Sequence, residues 1–332
     1  MKKSILTKLS ALALTLTLAG CSTAGGAVSS TTSDTSVVAV SSSSEALSSE
    51  SSQDTASTST VDANEYDEIL SKTNWQGTTV KDAEGNDLTA ENSEFIGLAK
   101  YDAATGRYEF FDKETGETRG DSGIFFVTND GQKRVLISQT KKYQAVVDLT
   151  ELNDQKFTYK RQGKNKDGSE VEVFVEHIPY TEKELAFTTE MPALDSTTGD
   201  IVTTESGTKV LGDTLWNGTV VLDEKGEDVT EFNKGFISLA KYDATTNQYE
   251  FFDLETGETR GDFGYFAVIN GNKERAHTSI GENKYGAVLE ITELNDQKFT
   301  YKRQGKNAAG EDITIFVEHV PYTGEFAPTF TF

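Results

Sequence analysis

One stretch of the chain, TELNDQKFTYKRQGKN, occurs twice without change, from Thr150 to Asn165 and again from Thr292 to Asn307. The likeness extends well beyond it. WQGTTVKDAEGNDLT from Trp75 answers WNGTVVLDEKGEDVT from Trp216, and LAKYDAATGRYEFFDKETGETRGD from Leu98 answers LAKYDATTNQYEFFDLETGETRGD from Leu239. VFVEHIPYT from Val173 likewise answers IFVEHVPYT from Ile315, with a single inserted residue in the second copy between Arg275 and Tyr285. Repeats of about 20–50 residues stack into solenoids because each is too short to bury its own core. The unit here is far longer and has the size of a domain that folds alone. The duplication also gives a test: a residue type missing from one copy is not required by both.

Within a copy the side chains alternate with a period of two. Val171, Val173, Val175 and His177 fall on one face and Glu172 and Glu176 on the other, with Phe174 as the exception; Tyr143, Ala145, Val147 and Leu149 alternate with Gln144 and Asp148. In the repeated stretch, Phe157 and Tyr159 share one face. This is the pattern of strands with one buried side. Turn clusters such as DAEGND, AATG, KETGE, TNDG, ELND and NKDGSE separate them, and one short helix is expected at ANEYDEILSK. The expected class is all-β. About eight short antiparallel strands in series close naturally into an up-and-down barrel without exposed edges, so two tandem homologous barrels are expected, with a two-sheet sandwich as the competing arrangement. The order of a Trp-x-Gly first strand, YEFFD with TGETRGD, and a closing VEHxPY resembles a family of Gram-positive surface lipoproteins known as a domain of unknown function, often carried in tandem. That resemblance implies a fold and a location rather than an activity. The opening Trp-x-Gly is also similar to the first strand of lipocalins, which implies a calycin-like barrel.

The front of the chain reads as an address. MKKSILTKLSALALTLTLAGC has lysines at 2, 3 and 8, an apolar run and small residues before Cys21, the sole cysteine of the chain. That is an export signal, and LAGC resembles the lipobox of bacterial lipoproteins, which implies a lipid anchor on Cys21. Residues 21–63 are mostly Ser, Thr, Ala and Val without an aromatic residue, a composition expected to stay disordered. Such a coil has a root-mean-square span of about 35 Å and a drawn-out length of roughly 140 Å. The expected organisation is therefore a signal peptide at 1–20, a linker at 21–63, a first barrel at 64–190, a second linker at 191–207 and a second barrel at 208–332. The expected location is the outer face of the cytoplasmic membrane, anchored by lipid and reaching into a Gram-positive cell wall. The released fragment ALTLTLAG resembles signal-derived mating pheromones of such bacteria. A formal net charge of −23 argues against nucleic acid as a partner.

Several motifs suggest chemistry. TRGD at Thr118–Asp121 and Thr259–Asp262 contains an integrin-type tripeptide, which raises adhesion to a host or cell-wall component; otherwise it is a hairpin turn entering a strand. GDSG at Gly120–Gly123 has the look of a protease nucleophile segment, but Phe263 replaces Ser122 in the second copy. Glu176 and His177, like Glu318 and His319, are adjacent on a strand and point to opposite faces, so they cannot share a proton path. His277 has Leu136 as its counterpart, and the acidic turns DAEGND and DEKGED lack the spacing of a calcium loop. No catalytic residue, metal site or cofactor is expected. The remaining signal is aromatic. If the barrels are not filled by their own side chains, each is a cup for a small apolar or aromatic ligand, with Trp75, Tyr101, Arg119 and His177 as candidate contacts in the first copy and Trp216, Tyr242, Arg260 and His319 in the second.

Overall fold

The computed structural model of the protein describes residues 64–194 and 199–332. The expected signal peptide, Cys21, the 21–63 linker and part of the 191–207 linker lie outside the described residues. Each copy is a closed eight-stranded antiparallel barrel, which decides against the sandwich. The first comprises β1 (Asn74–Lys81), β2 (Leu98–Asp102), β3 (Arg107–Phe111), β4 (Thr118–Val127), β5 (Lys133–Ser138), β6 (Tyr143–Asn153), β7 (Lys156–Lys164) and β8 (Glu170–Tyr180). The second comprises β9 (Trp216–Asp223), β10 (Leu239–Asp243), β11 (Gln248–Phe252), β12 (Thr259–Ile269), β13 (Glu274–Ser279), β14 (Tyr285–Leu294), β15 (Phe299–Lys306) and β16 (Asp312–Pro321). Every strand pairs with its neighbour in sequence, and the last closes on the first: Gly77 lies opposite His177, and Gly218 opposite His319.

The period-two pattern becomes an inside and an outside. Val173, Val175 and His177 of β8 are buried in the first barrel, while Lys156 and Lys160 outside pair with Glu151, Glu176, Asp148 and Glu172 across β6, β7 and β8. Such exposed pairs contribute about 0–1 kcal/mol each; the buried face is what sets the register.

A short helix closes one end of each barrel. In the first, α1 (Glu65–Ser71) is capped by the Asn64 side chain, which accepts from the amides of Tyr66 and Asp67. Asp67 in turn accepts the amide of Val127 at 2.7 Å, and Trp75 Nε1 donates to the Leu70 carbonyl at 2.8 Å. In the second, α2 (Gly207–Gly212) does the same work: Trp216 Nε1 donates to Leu211 at 3.1 Å and Thr208 accepts from Val268 at 2.9 Å. The sequence pattern predicts only the first helix. GTKVLG has glycine at both ends and low intrinsic helix propensity, and it is held by the barrel, with Asn272 accepting the Gly207 amide at 2.8 Å.

Strands β4 and β5 do not alternate, because both of their faces are buried. Phe125, Val127 and Leu136 face the first barrel's core, while Ile124, Phe126, Val135 and Ile137 pack outward on Ala267, Ile269 and Ala276 of β12 and β13. Equivalent strands of the two copies thus meet each other, and Asn129 seals the contact through its amide to Asn247 Oδ1 and its Nδ2 to the Ala244 carbonyl, both at 2.6 Å.

Candidate functional site

The end of each barrel opposite the helix is open. There the β1–β2 and β9–β10 loops lean over the mouth, pinned by Asn92 and Asn233: each side-chain oxygen accepts the amide of Lys164 or Lys306, and each Nδ2 donates to the carbonyl of the same lysine. Beneath them lies a cavity of about 320 Å³ in each barrel.

The floor is an arginine. Arg134, the second residue of β5, is 4% exposed and Arg275, the second residue of β13, is 3% exposed. Arg134 Nη1 donates to the Tyr101 hydroxyl at 2.8 Å, and its guanidinium lies 4.3 Å from the ring centre of Tyr159 and 5.4 Å from that of Phe157. Arg275 donates to the Tyr242 hydroxyl and lies 4.5 Å from Tyr301 and 5.3 Å from Phe299. The Nε of both arginines has no hydrogen-bond partner. Among the described residues neither arginine takes part in an ion pair.

Beside the arginine sits a histidine. His177 stacks on Phe157 with centroids 4.4 Å apart and planes at 9°, and His319 stacks on Tyr301 at 5.5 Å. Burial first, and then the charge of the neighbouring arginine, push the pKa of each down to about 3, so both imidazoles are neutral. The second cup adds His277 between Tyr249 and Tyr285, where the first has Leu136. Burial also holds its pKa well below the ordinary value. Nδ1 of all three is buried without a partner.

Each wall carries an aspartate, and hydroxyl groups surround it. Asp121 accepts from Tyr108 at 3.0 Å, Ser138 at 2.8 Å and Tyr143 at 2.8 Å; Asp262 accepts from Tyr249 at 3.0 Å and Tyr285 at 2.7 Å. Burial and the bond to Asp121 raise the Tyr143 pKa to about 12, so it stays a donor. At the rim, Arg119 Nη1 donates to the Glu94 carbonyl at 3.0 Å and Arg260 to those of Ile237 and Gly235, each at 3.1 Å. Arg161 and Arg303 lie 3.9 Å and 3.7 Å over the rings of Phe95 and Phe236.

Of the residues expected from sequence, Arg119, His177, Arg260 and His319 line the cavities. Four do not. Trp75 and Trp216 are fully buried at the helix end, and Tyr101 and Tyr242 stand behind the arginines and orient them. Alternation assigns a residue to the inward face but says nothing about its depth along the barrel. The RGD tripeptides lie inside β4 and β12 rather than on a flexible loop. Their glycines adopt φ of +63° and +69°, and their aspartates turn inward. The following glycine of GDSG is a close approach: a Cβ on Gly123 would lie 2.0 Å from the Ile137 carbonyl oxygen, and one on Gly264 2.0 Å from that of Thr278. Arg134 escapes the sequence reading because the VLI of KRVLIS is apolar on both faces, which hides the fact that Arg134 shares the inward phase of Leu136; Arg275 escapes it because ERAHTS is polar on both faces and shows no alternation.

A family model described as a domain of unknown function, DUF4822, matches residues 67–187 and again 208–330. The chain belongs to the DUF4822 family. Both matches fall within the two barrels, so each DUF4822 domain is one barrel with its cup. Among solved structures the chain is similar to a protein of unknown function from the DUF3598 family of Nostoc punctiforme, at 9% identity over 78% of this chain and 100% of that one, with a TM-score of 0.17. No curated protein matches the chain.

Proposed function

We propose that the protein is a lipid-anchored extracellular binding protein whose two DUF4822 barrels each hold one small ligand in the open cup. The observation that carries this reading is the cavity of about 320 Å³ retained at the same place in both barrels. It is a size at the lower end of small-molecule sites, and it is lined by apolar side chains such as Phe110, Leu136 and Val147 together with polar groups that lack partners. An eight-stranded barrel can be filled by its own side chains. Here the aromatic residues fill the helix end and leave the other end hollow.

The anchor rests on the lipobox-like LAGC and Cys21, and the 21–63 linker would carry the barrels away from the membrane. Two cups on one tether raise avidity for a target that presents its ligand repeatedly. Native mass spectrometry of the protein purified gently from its own host tests the cups: extra mass in a stoichiometry of up to two, lost on denaturation, is the expected result. An apo mass, with no shift on adding host extract, would refute them. Cys21→Ser is expected to move the protein from the membrane fraction to the medium; retention in the membrane would refute the anchor.

A further inference from the structure

We infer that each cup selects an anionic headgroup, a carboxylate or a phosphate monoester on a small ligand with an apolar or aromatic body, and that Arg134 and Arg275 receive it. This rests on the binding reading above. Three independent observations converge on it.

The first is the state of the arginines. A guanidinium keeps its proton when buried, and a buried charge without a counter-charge is costly. Arg134 and Arg275 have a phenol and aromatic faces for company but no carboxylate, and each keeps an unpartnered Nε. The nearby aspartate is not their counter-ion in either barrel, because Asp121 is engaged by Tyr108, Ser138 and Tyr143, and Asp262 by Tyr249 and Tyr285.

The second is charge. The first cup is lined by Arg119, Arg134, Arg161 and Lys141 against Glu94 and Asp121, and the second by Arg260, Arg275 and Arg303 against Asp262. Both cups thus carry a formal surplus of two positive charges in a chain whose net charge is −23. Cationic side chains concentrated in a concave site focus the local field and draw anions to it.

The third is what the duplication retained. The linings differ at Leu136 against His277 and at Lys141 against Asn283, yet the floor arginine, its tyrosine support and both rim arginines stand in both cups. The planar fork of a guanidinium matches a carboxylate or a phosphate in a bidentate way. The neutral histidine beside it offers a further polar contact without opposing charge.

Isothermal titration of the intact protein with benzoate, phenyl phosphate and inorganic phosphate, against the neutral comparators benzamide and benzyl alcohol, tests this. At least one anion is expected to bind two equivalents, at least tenfold tighter than either neutral probe. Benzoate alone would identify a carboxylate ligand and phenyl phosphate alone a phosphate ester, and either supports the inference; inorganic phosphate as tight as its phenyl ester would overturn the apolar body and leave only an anion site. Arg134→Met and Arg275→Met should each reduce the stoichiometry from two to one. If benzamide or benzyl alcohol binds as well as benzoate, the cups are binding sites but the anion inference is overturned. If no probe binds and native mass spectrometry finds no resident ligand, both readings fall. The comparison of benzoate with benzamide uses the unaltered protein, so it decides the matter even if the arginine variants do not fold.

Discussion

Lowering the pH from 7.5 to 5 should destabilise the first barrel through one residue. His177 titrates at about 3 in the folded barrel and at about 6.5 in the unfolded chain. Its folded pKa is depressed, and for a base this means that the unfolded chain takes up the proton first. Stability is therefore at its full value above about pH 6.5 and falls as the pH drops from there towards 3. At pH 5 the unfolded chain gains about 1.5 pH units' worth of proton binding over the folded one, or about 2 kcal/mol. Carboxylates with depressed pKa values, such as Asp112 and Asp148, lose their contribution only around and below their unfolded value of 3.8, so they contribute little in this window. The second barrel should lose about 2 kcal/mol through His319 in the same way, with His277 adding to the loss. Glu274 works against them there, since burial raises its pKa and its proton uptake favours the folded state; the first barrel is thus the cleaner test. The chain has two tryptophans, one per barrel, so Trp216→Phe leaves Trp75 as a fluorescent reporter of the first. Urea unfolding of that variant at pH 7.5 and 5.0 should show the loss. His177→Phe, which keeps a ring against Phe157, should abolish it. A midpoint that does not move with pH, or moves equally in the phenylalanine variant, would refute the reasoning.

Trp75→Ala should cost about 3–5 kcal/mol, as large aromatic deletions in cores do, and should also expose α1 to hydrogen exchange by removing the bond to Leu70; exchange confined to global unfolding would contradict this role. Gly123→Ala should prevent the first barrel from folding, whereas Gly168→Ala, at a φ of +83° with nothing near its Cβ position, should cost about 1 kcal/mol, and comparable melting temperatures for the two would count against the close strand crossing. Phe126→Asp, on the face buried between the barrels, should expose the amides of β4 and β5 to faster hydrogen exchange while leaving both barrels folded by circular dichroism; protection equal to that of the parent would contradict the packing.

Much of the fold was legible in the primary structure because its cause is local. Val173, Val175 and His177 alternate with Glu172 and Glu176, and a period of two next to turn glycines is a statement about strands. The short helix expected at ANEYDEILSK is α1, and its cap, Asn64, lies within the same few residues. α2 was not legible, since GTKVLG becomes helical only through contacts with Asn272 and Val268 that lie far along the chain. The candidate site was half legible. Arg119, His177 and their counterparts stood out as polar residues near conspicuous motifs, while Arg134 was masked by its apolar neighbours.

The sequence by itself determined that there are two homologous domains, that they are β and that their strands have an inside, because repetition and alternation are properties of order along the chain. Tertiary structure decided how deep each inward residue sits, which end of the barrel is filled, and which charges go without partners. Those depend on register around a closed sheet. Only closure brings Tyr101 of β2, Arg134 of β5, Tyr159 of β7 and His177 of β8 to one depth, with Asp121 turned away from the arginine and towards three hydroxyl groups.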